Sequence, residues 1–285
     1  MVNQKDFFQN GDLFKIKLGE ISIEGISMAG ICTHISVPEL KICFDVGYSH
    51  PKLASHKFYF ITHGHMDHAA GIPYLVSNKA LNKQKPPRFY MPKSMIQPMN
   101  SILSLWAKME GHDYKWNFLE MEKEGVWINP HYQVVSFKTF HRVESQGYLL
   151  RSFKEKLKSQ YRDLDAKKIA ELKNNGVEIQ EKIFSPLLAV TGDTKIEFLT
   201  ENPELYNVKY LLVECTYATD VKSIESCREW GHIHFDELLV HLPKFKGEKI
   251  ILKHFSRRHT YQEILKVLDE KCPPELREKV LILPW

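Results

Sequence analysis

Fourteen consecutive residues constrain this chain more than any other stretch: Phe58-Tyr59-Phe60-Ile61-Thr62-His63-Gly64-His65-Met66-Asp67-His68-Ala69-Ala70-Gly71. An apolar strand runs into three histidines and an aspartate packed within six residues, and then into a helix. His63 and His65 are two apart, so at the end of an extended strand both rings can point to one side, as two ligands of one ion must. Asp67 and His68 fall where the chain turns into the helix and can aim at a neighbouring point. One short loop thus offers four nitrogen and oxygen ligands, enough to begin two metal sites. Packing gives no purpose for histidines at this spacing directly after a buried strand. Imidazole and carboxylate donors without thiolate favour zinc, with manganese or iron as lesser options.

The remaining composition is that of an ordinary globular protein. The chain has 285 residues, 43% hydrophobic and 26% charged, which excludes a collagen, a disordered tail and a coiled coil. No run approaches the ~20 apolar residues of a spanning helix. The stretch Met1 to Lys17 alternates charged and apolar residues instead of forming a signal segment, so a cytoplasmic address without membrane contact is expected. Five widely spaced cysteines with no Cys-x-x-Cys pair suggest neither a disulfide framework nor a thiolate zinc site, and they read as small core residues. Eight further histidines (34, 50, 56, 112, 131, 234, 241 and 259) carry no ligand pattern. A net charge of 39 − 35 = +4 permits nucleic acid binding without demanding it.

Periodicity and turn residues predict strands over 14–18, 21–26, 33–37, 40–45, 58–62, 88–91, 134–140, 147–152, 187–190, 210–213, 249–252 and 280–283. Helical spacing occurs over 69–81, 93–109, 236–242 and 260–268, and the charged stretch Phe153 to Asn175 reads as a surface helix ending at Asn175-Gly176. Neither a repeat nor a low-complexity linker divides the chain, so a single domain over residues 1–285 is expected, with two sheets flanked by helices.

His63-x-His65-x-Asp67-His68 resembles the signature of the metallo-β-lactamase superfamily, which implies an α/β (αββα) fold of two β-sheets sandwiched between helices. Fold does not settle function. Four downstream features, each following an expected strand, narrow the resemblance: Thr139-Phe140-His141, Thr191-Gly192-Asp193-Thr194, Glu214-Cys215-Thr216-Tyr217 and Lys253-His254-Phe255-Ser256-Arg257-Arg258. With Gly231-His232-Ile233-His234 and Gln146-Gly147-Tyr148, the set is similar to the short form of tRNase Z (ribonuclease Z), nearest its plant-type members. That family removes 3′ trailers from precursor tRNA.

The resemblance implies that His63, His65 and His141 hold one zinc, that Asp67, His68 and His254 hold a second, and that Asp193 bridges them. From spacing alone only the first four ligands are arguable. It implies hydrolysis just after the discriminator nucleotide, leaving a 3′-hydroxyl on the tRNA and a 5′-phosphate on the trailer. Asp67 would also accept a proton from the attacking water. His232 would donate one to the leaving oxygen, with Glu214 orienting its ring. Arg258 and Ser256 would contact phosphate. A homodimer is implied as well. Two basic stretches are candidates for RNA contact, one from Lys79 to Lys93 and one from Arg151 to Lys173. The run from Asn175 to Ser185 is too short for the Gly-Pro-rich arm of many bacterial relatives. The rival readings are a phosphodiesterase of the same fold acting on small diesters or cyclic nucleotides, and a catalytically idle tRNA-binding relative.

Overall fold

A computed structural model of the chain describes residues 13–283. The terminal residues outside that range include most of the segment on which the expectation about the N-terminus rests. Fourteen strands form two seven-stranded sheets, each in sequence order. The first holds β1 (Phe14–Leu18), β2 (Ile21–Met28), β3 (Cys32–Val37), β4 (Ile42–Phe44), β5 (Phe58–Phe60), β6 (Arg88–Tyr90) and β7 (Asn117–Leu119). The second holds β8 (Val126–Asn129), β9 (Tyr132–Lys138), β10 (Gln146–Leu157), β11 (Gln180–Val190), β12 (Tyr210–Glu214), β13 (Lys249–Lys253) and β14 (Val280–Ile282). In each sheet the first four strands pair antiparallel and the last four, sharing one strand, pair parallel.

Side-chain alternation explains the layering. In β4 and β5, Ile42, Phe44, Phe58 and Phe60 face the core between the sheets, while Cys43 and Tyr59 face outward. In β12, Tyr210 and Leu212 face inward and Leu211 and Val213 outward. Strands buried on both faces need cover on both, and helices supply it. The helix pair α1 (Met66–Ala69) and α2 (Ile72–Leu81) and the longer α3 (Lys93–Glu110) lie on the first side, where Leu75, Val76, Met95, Met99 and Leu103 cover Tyr59, Ile61 and Phe89. Helix α4 (Ala166–Asn174) buries no residue. After it, α5 (Ile224–Trp230), α6 (Phe235–Leu239) and α7 (Tyr261–Lys271) follow, and Leu238, Ile264 and Leu268 cover Leu211, Val213 and Leu252. The αββα architecture is thus the one expected.

All five cysteines are free and buried, as expected of small core residues. No helix among the described residues is long and apolar enough to cross a membrane.

Two expectations need correction. Residues 153–157 are not helical: they continue β10, whose partner β11 likewise starts at Gln180 instead of Leu187. The pairing runs out to Leu157 and Gln180, so the two strands build a ribbon with α4 in the connection between them. A charged surface pattern looks the same on a solvated ribbon as on a solvated helix, which is why spacing misassigned it. The expected helix end holds, with Asn175 as its cap and Gly176 at φ 74°. Strands β7 and β8 and helix α5 carry no clear periodicity in the sequence, being short or lying on exposed edges.

Candidate metal centre

Ligand-type residues gather at one edge of the sandwich, where the carboxyl ends of parallel strands from both sheets meet, the place where open α/β sheets bind ligands. Asp45 follows β4 and the loop from His63 to His68 follows β5. Asp193, Glu214 and His254 follow or end β11, β12 and β13, and His141 follows β9. Backbone bridges stitch the sheets together here, His63 to Ser145 and Met28 to Phe255, so ligands on different strands are held at fixed separations. Asp45 and His254 both have a left-handed backbone, φ 59° and 66°. Such strain costs on the order of 1 to 3 kcal/mol and persists only where surrounding structure over-determines it.

Three overlapping groups result. Asp193, His232 and His254 offer atoms mutually within 4.8 Å, and so do the two main groups, His63, His65, His141 and Asp193 on one side and Asp67, His68 and His254 on the other. Asp193 serves both: Oδ2 lies 3.6 Å from His63 Nε2, and Oδ1 lies 3.3 Å from His68 Nε2 and from His254 Nδ1. The surrounding bonds orient the rings. His68 Nδ1 donates to Asp45 Oδ2 at 2.7 Å and His141 Nδ1 donates to the Gly231 carbonyl at 2.9 Å, leaving each Nε2 lone pair turned inward. Gly231 ends α5 at φ 80°, and a Cβ on it would sit 2.6 Å from His141 Nδ1, so only glycine lets the loop support that ring. Gly47 is equally confined, since its Cβ would lie 1.8 Å from the Asp67 carbonyl oxygen.

Several atoms fit a cation and little else. Among the described residues, His63 Nε2 and Asp193 Oδ1 are buried without a hydrogen-bond partner. His68 Nε2 meets His254 Nε2 at 3.2 Å, and His141 Nε2 meets His65 Nδ1 at 3.3 Å. Pairs of ring nitrogens this close are stabilised by a shared cation. Burial lowers the pKa of His63 well below its ordinary value and lowers those of His65 and His141, which keeps their lone pairs free. At His68 burial works in the same direction, but Asp193 and Asp45 outweigh it and push the pKa up to about 10. That ring attracts positive charge, and a metal ion would take the place of the proton. The chemistry of the donor set therefore fits one or two divalent ions.

A second device adjoins the first. Glu214 is fully buried and fixed by the Thr194 and Thr216 amides, each 3.0 Å away, and by Thr216 Oγ1 at 2.9 Å. Its Oε1 accepts from His232 Nδ1 at 3.0 Å. Burial opposes charge on His232, but Glu214 and then Asp193 raise its pKa to about 9. The His232 ring centroid is 5.2 Å from that of His141 and 5.7 Å from that of His254.

Known proteins of similar sequence place the chain in a family. The chain is 38% identical to tRNase Z TRZ1 of Arabidopsis thaliana, over 92% of its own length and 94% of that protein. The chain belongs to the tRNase Z family. It is also 33% identical to the chloroplastic tRNase Z TRZ2 of the same plant, over 87% of this chain and 71% of that one. Residues 43–267, which include every residue of the cluster, match and belong to the family described as Anti-Pycsar protein Apyc1. Among solved structures, human tRNase Z, short form, aligns with a TM-score of 0.55 at 15% identity, covering 90% of this chain and 93% of that one. The metallo-β-lactamase fold protein YhfI from Bacillus subtilis aligns with 0.58 at 13%, covering 90% and 92%. These two likenesses carry the fold, which is the metallo-β-lactamase fold.

In this tRNase Z family member the structure brings together all seven expected ligand positions and the Glu214 and His232 pair. Ser256 and Arg258 stand on the loop after His254: the Ser256 amide donates to the Thr216 carbonyl at 2.9 Å, Ser256 Oγ accepts from the Arg258 amide at 3.3 Å, and among the described residues no side-chain bond joins either to the cluster. Lys79 leaves the list of RNA-facing cations, because it is buried and donates to the carbonyls of Ala54 and His56 and to Gln84 Oε1. Sequence reasoning missed Asp45, which holds His68 and also accepts from the Thr62 amide and hydroxyl. Its only linear signal was an acidic residue ending the apolar run Ile42-Cys43-Phe44.

Proposed function

We infer that the chain is a metal-dependent endoribonuclease that cuts precursor tRNA after the discriminator nucleotide, leaving a 3′-hydroxyl on the tRNA and a 5′-phosphate on the trailer. The observation that carries this reading is the Glu214 and His232 pair set one ring away from two ligand groups that share Asp193. A hydrolase for phosphodiesters needs charge for the phosphate and a proton for the leaving oxygen, and the two devices supply one each. The relatives of high identity, named tRNase Z, support the substrate.

In this proposal His63, His65, His141 and Asp193 would hold one zinc ion, and Asp67, His68, His254 and Asp193 would hold the second, with manganese as the substitute. Divalent ions there supply positive charge to the phosphate and a water acidic enough to attack near neutral pH. Asp67 acts first as a ligand: its Oδ2 accepts from the Gly30 amide at 2.7 Å and lies 3.4 Å from His254 Nε2. Glu214 holds Nδ1 of His232, so the proton given to the leaving 3′-oxygen comes from Nε2. Arg258 and Ser256 would meet phosphate from the loop after His254. The homodimer belongs to the same proposal and is supported by the family resemblance alone; sedimentation of the purified protein tests it, and elemental analysis tests the metal.

The deciding experiment incubates purified protein with precursor tRNA and with trailer-free tRNA, with and without chelator, and maps the ends. A single chelator-sensitive cut after the discriminator supports the reading. No cut from metal-loaded protein overturns it, and turnover of bis(p-nitrophenyl) phosphate then marks a small-diester enzyme.

A further inference from the structure

The rim beside His232 carries an aromatic and two cations that the chemistry above leaves unused. Trp230, the last residue of α5, is 50% exposed and stands two residues before the partly buried His232. The Arg142 guanidinium lies 4.6 Å from its ring centroid and Lys222 Nζ 5.1 Å, with Lys222 also 5.3 Å from the Tyr217 ring. Neither cation has a carboxylate within ion-pair distance among the described residues, whereas Arg228 of the same helix is paired with both Glu197 and Glu237. Two cations left without counter-charge at the mouth of a phosphodiester site complement phosphate.

This rim is tied to the metal cluster by backbone. Arg142 directly follows His141, and the Gly231 carbonyl that supports the His141 ring belongs to the residue after Trp230. We propose that Trp230 stacks against the discriminator base, which takes the place of a cation on the indole face, while Arg142 and Lys222 hold the phosphate on the 5′ side of that nucleotide. The inference rests on the reading given above. If His232 protonates the oxygen that leaves with the tRNA, the nucleotide nearest His232 is the one that owns this oxygen, which is the discriminator. That base is unpaired, so its face is free. Stacking on an aromatic ring tolerates any base, as an enzyme serving many tRNAs requires.

The test is a cycle between protein and substrate. Precursor tRNA with an intact or an abasic discriminator is cut by wild type, Trp230→Ala and Trp230→Phe, with metal content measured for each. Losing the base costs wild type roughly tenfold or more in kcat/KM. Trp230→Ala loses a similar factor on intact substrate, nothing further on the abasic one, and Trp230→Phe recovers most of it. Arg142→Ala and Lys222→Ala each give a shallower salt dependence of KM. Losses that multiply independently, unchanged kinetics in Trp230→Ala, or loss of its metal would each overturn the stacking role. Absence of any cut by wild type would instead overturn the nuclease reading on which it rests.

Discussion

At the scale of single residues, burial does the chemical sorting. His63, His68, Asp193 and Glu214 are all essentially sealed from water, yet their neighbours drive them to different states. Asp193 stays ionised well below the usual carboxylate range despite burial, because His254 and His68 face it, and Glu214 is lowered likewise by His232. His232→Ala is expected to keep its metal and lose roughly 10² to 10⁴ in turnover, as removal of a general acid does; single-turnover cleavage with elemental analysis checks both. Away from the site, burial holds His34 at a pKa of about 3 and His56 at about 4. Both lie below the unfolded value near 6.5, so between pH 3 and 6.5 the unfolded chain binds protons that the folded one refuses. Their contribution to stability is therefore whole above pH 6.5 and is lost on acidification. His34→Leu should lose less stability than wild type between pH 7 and 4.5 in urea titrations; equal losses would mean the ring is charged in the fold.

At the scale of elements, the turns after strands decide what the ligands can reach. Gly231→Ala forces a Cβ into a left-handed turn and against His141, so a loss of about 1 to 3 kcal/mol and weaker metal retention are expected. Thermal unfolding and metal titration read the two effects separately. The ribbon of β10 and β11 is the other element with consequences. Lys154 and Lys156 on it are exposed, as are Lys167, Lys168 and Lys173 on α4, whereas Lys158 and Arg162 are engaged by Glu178 and Glu181. Replacing Lys167, Lys168 and Lys173 by alanine should weaken precursor tRNA binding and flatten its salt dependence, and a filter-binding series over salt concentration shows whether the slope changes. Elements with an apolar period were legible in the sequence almost to the residue, as for β1 and α3. The ribbon was not, because a two-sided solvated strand carries no apolar alternation to reveal it.

At the scale of the whole molecule, the site is a clasp between two sheets. His63, His65, Asp67 and His68 extend from the first, and His141, Asp193 and His254 from the second. Anything that binds all of them binds the folded state alone, so stripping the metal should lower the unfolding temperature and readdition should restore it. Differential scanning fluorimetry with and without chelator gives the answer, and an unchanged midpoint would mean that the sheets do not depend on the ion. The sequence by itself singled out the first four candidate ligands, because they share one strand end and local spacing sets which way they point. It also determined the two-sheet class, because apolar alternation is a local property. Only the tertiary structure decided that Asp193 faces both candidate ligand groups, that Asp45 supports His68, and that Arg142 lies over the Trp230 ring. Those relations join residues 23 to more than 120 positions apart, and such pairs are fixed by how the two sheets pack and register, which no short-range pattern encodes.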